Sequence, residues 1–171
     1  MKSMMLTIGI VCLGCLNYAV AKPTDVPEAM PLVTIDFPES WKLQHIDLAL
    51  ITGTPEGDIA VVCQTVVTGT NAKPEKIFDT LDQDLTEDAP GGFKISGKPK
   101  PLEETVIDGS KAFKISATGI RKGVETVGFA FLIPIKEDSG LVFGCWGTPE
   151  AIKTHKTVLK KVLDSIHRKS K

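Results

Sequence analysis

The nine residues Ile59-Ala-Val-Val-Cys-Gln-Thr-Val-Val67 constrain this chain more than any other stretch. β-Branched side chains are stiff at χ1 and pack well on a pleated surface, so the run reads as a strand. Its apolar residues fall on both faces instead of alternating with polar ones, which is the pattern of a strand in the middle of a sheet. A central strand needs a neighbour on each side. Ile46–Thr52 precedes it across Gly53-Thr54-Pro55-Glu56-Gly57-Asp58, where proline fixes φ and glycine permits positive φ, so these two segments form a hairpin.

The second half of the chain reads as a strand meander. Glu103–Ile107 and Lys111–Thr118 flank Asp108-Gly109, a strong hairpin signal. Arg121-Lys122-Gly123 turns into Val124–Pro134, and Lys136–Gly140 turns into Leu141–Gly147. Near the start, Val33, Ile35 and Phe37 alternate with Thr34 and Asp36, so Leu32–Phe37 is a half-buried strand that ends at the turn Pro38-Glu39-Ser40. Two helices complete the pattern. Asn71 caps the first, Pro74 lies in its first turn, and Ile77, Phe78, Leu81 and Leu85 form an apolar stripe that ends before Pro90-Gly91-Gly92. The loop Pro90–Pro101 holds a short irregular strand near Phe93–Ser96. In the second helix Thr148 is the N-cap and Pro149 takes the first position, with Ile152, Leu159, Val162, Leu163 and Ile166 facing inward. The class expected from this order is α+β, a single domain whose antiparallel sheet is flanked by helices.

The N-terminus carries an address. Lys2 is followed by the apolar run Met4–Leu16, and Ala19-Val20-Ala21 is a small-x-small site before Lys22. That is the anatomy of a cleaved secretory signal, and the run is shorter than the roughly 20 apolar residues of a membrane span. The chain therefore divides into a signal at 1–21, an extended segment at 22–31 rich in proline, and a domain at 32–171, periplasmic or secreted, with no transmembrane span. The alternative is a lipoprotein anchored at Cys15, since Leu13-Gly14-Cys15 resembles a lipidation site; Cys12 stands where such signals carry leucine, and Ala-Val-Ala fits better.

Removal of the signal takes Cys12 and Cys15 with it and leaves Cys63 and Cys145. In an oxidising compartment these two form one disulfide if their strands are close neighbours, or remain two buried thiols. Lys2 is the one charge lost, so 20 basic residues become 19 against 21 acidic. Nucleic-acid binders show a clustered basic excess, which is missing here. The C-terminal basic series Lys153, Lys156, Lys160, Lys161, Arg168, Lys169 and Lys171 reads as a solvated helix face favoured by the helix dipole. Of the three histidines, His155 borders the buried stripe of the last helix, His167 lies in the basic tail, and His45 stands near Asp47 and Glu39, where surface charge explains it as well as a weak metal site does. Asp79, Asp82, Asp84, Glu87 and Asp88 lack the spacing of a calcium loop. No G-x-S-x-G elbow and no phosphate-binding glycine loop is present. No catalytic, cofactor or metal residues are therefore assigned.

In its order of strands, helix, meander and helix the chain resembles the PsbP-like superfamily, a group that includes exported bacterial proteins of the DcrB type and the extrinsic subunit of photosystem II. The segments that carry the resemblance are Thr34-Ile-Asp-Phe-Pro-Glu-Ser-Trp41, Thr105-Val-Ile-Asp-Gly-Ser-Lys-Ala-Phe-Lys114 and Leu141-Val-Phe-Gly-Cys-Trp-Gly-Thr-Pro-Glu150. The resemblance implies an α/β/α sandwich that acts as a binding or assembly module. With the signal, it points to a non-enzymatic module of the bacterial cell envelope whose partner is another envelope protein. A small-molecule or lipid carrier with an apolar cleft between sheet and helix is the alternative, and a hydrolase whose residues converge only in three dimensions is a third reading. Trp41 and Trp146 are candidate binding-surface aromatics, with core or rim packing as the competing reading.

Overall fold

The computed structural model describes residues 21–28, 32–46, 48–67, 74, 94–95, 100–121, 123–136 and 138–169. In chain order the described elements are β1 (Ala21–Val26), β2 (Val33–Pro38), β3 (Gln44–Ile46), β4 (Ala49–Gly53), β5 (Ile59–Val67), β6 (Lys94–Ile95), β7 (Glu103–Ile107), β8 (Ser110–Arg121), β9 (Val124–Lys136), β10 (Ser139–Gly147), α1 (Pro149–Thr154), α2 (Lys156–Asp164) and β11 (His167–Arg168).

The apolar run β5 takes the central place that its composition demands, between β4 and β10, in an eight-stranded antiparallel sheet ordered β3-β4-β5-β10-β9-β8-β6. β7 pairs with β8 beyond this path. The β10–β9 register shifts between Ser139 and Gly140, next to Pro134, which has no N–H to give a ladder and is tolerated beside such an irregularity. A second, three-stranded sheet is ordered β1-β2-β11. Of the segment 22–31 expected to be extended, Lys22–Val26 belongs to β1, with Lys22 opposite Phe37. Ile46–Thr52, expected as one strand, is divided: β3 ends at Ile46 and β4 begins at Ala49.

Period-two alternation builds the main core. The inner face of the large sheet presents Leu50, Val61, Cys63, Ile133, Phe143 and Cys145, all buried. Val33, Ile35 and Phe37 of β2 pack against it, with Leu159, Val162 and Ile166 from the C-terminal region. On the other face a smaller cluster forms around Leu132 and Val142, with Phe113 and Ile115 against it.

The expectation of helices flanking the sheet, an α/β/α sandwich, is overturned. The molecule is β-rich, with two antiparallel sheets, and its described helices are two short consecutive ones, α1 against β9 and β10 and α2 against β2. The apolar stripe that predicted one long helix is real, but at His155 the backbone leaves the helical region (φ −91°, ψ 6°) and divides it. Much of the inner face is covered by β2 together with α2 and Ile166. The helix expected from Asn71 to Leu85, and the acidic cluster on it, lie outside the described residues apart from Pro74.

The start of α1 follows the sequence closely. Thr148 Oγ1 accepts the Ala151 N–H at 3.1 Å and Pro149 occupies the first turn. Replacing Thr148 by alanine should cost about 1 kcal/mol, read as a lower urea midpoint at unchanged m-value.

Candidate interaction edge

The hairpin β7–β8 carries the surface with the clearest capacity to bind. Its turn residues Asp108 and Gly109 have φ of +49° and +68°, the left-handed pair that a two-residue turn needs to match strand twist. Ile107 and Ser110 close the turn as opposite partners. In such a hairpin the closing pair exchanges both main-chain hydrogen bonds, and bonded and non-bonded pairs then alternate. Thr105 and Glu103 therefore bond to β8, whereas the N–H and C=O of Glu104 and Val106 point away from it. The phase is corroborated further along β8, where Ser116 O accepts the Lys100 N–H at 2.8 Å on that side.

Among the described residues β7 pairs with no other strand, so this row of donors and acceptors faces outward. Val106 lies at its end nearest the turn and is 70% exposed, well above the 52% of Leu48 and Val124, the next most exposed large apolar residues described. Glu104 pairs with Lys111 at 2.6 Å and Glu103 with Lys114 at 3.8 Å, and the Lys111 ammonium lies 5.3 Å from the centre of the Phe113 ring. These exposed pairs order the side chains along the edge more than they stabilise the fold.

The turn is held from behind by the end of the chain. Arg168 donates from Nη2 to Asp108 O at 2.9 Å and to Ser110 Oγ, and from Nε to Asp108 Oδ2 at 3.4 Å. His167 Nδ1 lies 3.4 Å from Asp108 Oδ1. Desolvation alone would raise the Asp108 pKa; the Arg168 main-chain N–H, the His167 ring and the Arg168 guanidinium outweigh it and hold the carboxyl below its ordinary 3.8. One residue on, Lys169 ties to Asp25 at 2.6 Å, and its N–H donates to Leu32 O at 3.0 Å.

A second polar cluster joins the β4–β5 loop to the α1–α2 junction. Thr54 donates from its hydroxyl to Asp58 and accepts the Ile59 N–H at 3.2 Å, while His155 Nε2 lies 3.4 Å from Asp58 Oδ2. The Thr54 hydrogen bond leads in holding the Asp58 carboxyl below 3.8; burial opposes it, and the His155 charge adds to it. Thr54 is buried with its hydroxyl committed on both sides, so the trio braces a loop and presents no free nucleophile. Gly147 sits against this loop, where a Cβ would come within 2.6 Å of Asp58 O.

Asp25, Asp58 and Asp108 all have folded-state pKa values below 3.8. A depressed carboxyl contributes stability that is present above its unfolded value and is lost as pH falls through its folded value. Stability from these groups should be level down to about pH 5 and decline in acid. Asp58→Asn and Asp108→Asn should each lower the neutral-pH urea midpoint and flatten its fall between neutral and acid pH.

The residues singled out in the sequence are dispersed. Trp41 is 6% exposed and packs in the core with its ring centre 6.3 Å from that of Phe37. Trp146 is 8% exposed on β10, on the face opposite the main core, and its Nε1 finds no hydrogen-bond partner among the described residues. His45 lies 3.6 Å from Glu28. Of the basic tail, Lys160 pairs with Asp164 at 2.6 Å, and Arg168 and Lys169 are engaged as described. Among the described residues no group of three His, Cys, Asp or Glu could hold a metal ion, and no helix is long and apolar enough to cross a membrane.

Cys63 and Cys145 are free thiols on adjacent strands and the same face. Cys63 stands opposite Phe143 and Cys145 opposite Val61, a diagonal relation that spans about 7–8 Å, beyond the usual reach of a bridge. Burial pushes both thiols up in pKa, with the Cys145 charge adding to the effect on Cys63. Both should react with a thiol reagent after denaturation without prior reduction, and neither should react in the native protein.

The comparisons bear on this geometry. The chain matches no protein-family model and no curated protein sequence. Its structure is similar to that of the cyanobacterial PsbP protein CyanoP from Synechocystis, with a TM-score of 0.62 at 10% identity, covering 91% of this chain and 96% of that one. It is similar to the Ran-binding protein Mog1p of Saccharomyces cerevisiae, with a TM-score of 0.54 at 10% identity over 86% and 96% of the two chains. LpqN of Mycobacterium tuberculosis, described as involved in cell envelope biogenesis, gives 0.50 at 14% identity over 87% and 90%. The chain has a PsbP-like fold. At these identities the likeness is one of fold alone.

Proposed function

We propose that this chain is an exported, non-enzymatic binding module of the bacterial cell envelope that takes a protein partner by strand addition at β7. The observation that carries this reading is the β7 edge, unpaired among the described residues: the main-chain groups of Glu104 and Val106 point outward, and the Val106 side chain is 70% exposed. Unpaired edge groups are a template for another extended chain, whose main-chain hydrogen bonds give affinity and whose side chains give specificity. The Arg168 contacts behind the turn keep the edge ordered before a partner arrives, which lowers the entropy lost on binding. Export is supported by Lys2, Met4–Leu16 and Ala19-Val20-Ala21, with cleavage after Ala21. A role in the envelope agrees with the description of LpqN, and a protein partner with that of Mog1p.

Val106→Pro tests the edge directly. It removes a main-chain N–H that points away from β8, so the hairpin loses no bond of its own while an added strand loses one and meets the ring. In affinity capture from the native envelope, the variant should recover the partner of the unmodified protein about tenfold less well or worse, at an unchanged urea midpoint. Equal recovery of the same partner by both forms would sink the proposal. Val106→Lys, which keeps the N–H but places a charge on the edge, should weaken capture as well.

A further inference from the structure

We infer that the segment received by β7 is an extended, antiparallel strand with the order apolar, any residue, cationic, cationic. This inference rests on the edge reading above and specifies its partner. Antiparallel pairing is the arrangement of every strand pair in this sheet. It places successive partner residues opposite Val106, Thr105, Glu104 and Glu103. Val106 and Glu104 lie on one face and Thr105 and Glu103 on the other, because side chains alternate along a strand. The partner residue opposite Val106 meets an exposed apolar side chain, and the two residues opposite the glutamates meet carboxylates.

Those carboxylates have capacity to spare. Lys111 engages Glu104 through Oε1 and Lys114 engages Glu103 through Oε2, while the glutamate side chains remain 65% and 60% exposed. A carboxylate accepts through both oxygens, so each can take a second cation without releasing its lysine. Charge also argues against a second copy of this chain as the occupant. Self-pairing centred on Glu104 sets two carboxylates face to face, and pairing centred on Thr105 sets Glu104 opposite Val106 and Glu103 opposite Ile107. Neither register brings a cation to the edge, and charges directly opposed across strands are repulsive when alike. An edge with half-engaged carboxylates at one end and an exposed apolar side chain at the other thus gains no cation from a second copy and favours a basic strand.

The test uses isotopically labelled protein and three blocked hexapeptides: Thr-Val-Thr-Lys-Lys-Thr, the same with both lysines replaced by glutamate, and the lysine peptide with proline in place of valine. Amide shifts centred on Glu104 and Val106 are expected with the lysine peptide, about five- to tenfold weaker binding with the glutamate peptide, and little response to the proline peptide. Glu103→Lys with Glu104→Lys should invert the charge preference. Should that pair disturb the hairpin, Glu103→Gln with Glu104→Gln, which leaves Lys111 and Lys114 uncompensated, should likewise shift the preference toward the glutamate peptide. If lysine and glutamate peptides shift the β7 amides equally, the charge rule is overturned and the edge reading survives. If neither peptide shifts them, or shifts appear only elsewhere, both are overturned.

Discussion

Burial of the inner face of the large sheet by the two ends of the chain is the constraint on which the rest depends. Val33, Ile35 and Phe37 from the N-terminal part and Leu159, Val162 and Ile166 from the C-terminal part close over Val61, Cys63, Ile133 and Phe143. Full burial of such a side chain contributes about 1.5–3 kcal/mol, so this interface outweighs any polar contact in the molecule. The closure is non-local: the Asp36 N–H donates to Ser165 Oγ across 129 residues of sequence at 2.9 Å. Loops, turns and edges elsewhere keep their shape because this face is sealed.

The large sheet uses its sequence differently at its centre and at its ends. β10 is buried along most of its length and β5 is apolar with Ile59, Val61, Val62 and Cys63 buried, whereas β3 is exposed throughout and β7 carries glutamates. Charge on an edge strand is a common guard against indiscriminate pairing. At β7 the guard is incomplete, because Val106 interrupts the charged row at the most exposed position. The proposed strand addition uses that gap: a charged but open edge would discriminate among strands instead of refusing them all.

Parts of this were legible in the residues. The nine-residue run of β5 declared a central strand because its β-branched side chains suit a pleated surface and its apolar residues fall on both faces. Asp108-Gly109 declared a two-residue turn because few residues tolerate positive φ twice in succession. Counting outward from that turn pairs Glu103 with Lys114, so the ion pair and the outward phase of Val106 were implicit in the sequence. What the residues could not convey was long-range choice. The alternation of Leu32–Phe37 marks a strand but does not name its neighbours, and β2 joins β1 and β11 instead of the large sheet. β11 has two residues and therefore no period at all. The apolar stripe of the C-terminal region runs through His155 unbroken, since the His155 N–H still bonds Ala151 O and its carbonyl still accepts from Leu159. A local backbone change thus divides a helix that side-chain pattern joins. Trp41 and Trp146 were ambiguous for a related reason: a large aromatic ring suits a core and a binding surface equally, and only the packing decides between them.

The tail that divides from this helix also links fold to site. Arg168 reaches the Asp108 turn across 60 residues, while its neighbours in sequence pair with β2 and with Asp25. The β7–β8 turn is therefore fixed by the same segment that completes the small sheet. Loss of that sheet would leave the hairpin with its own local bonds but without the clamp behind its turn. β7 is held on the large sheet by its pairing with β8, which pairs in turn with β9, and the Arg168 clamp fixes the turn end of that edge. Order at the turn end of β7 thus depends on the same C-terminal segment that pairs with β2.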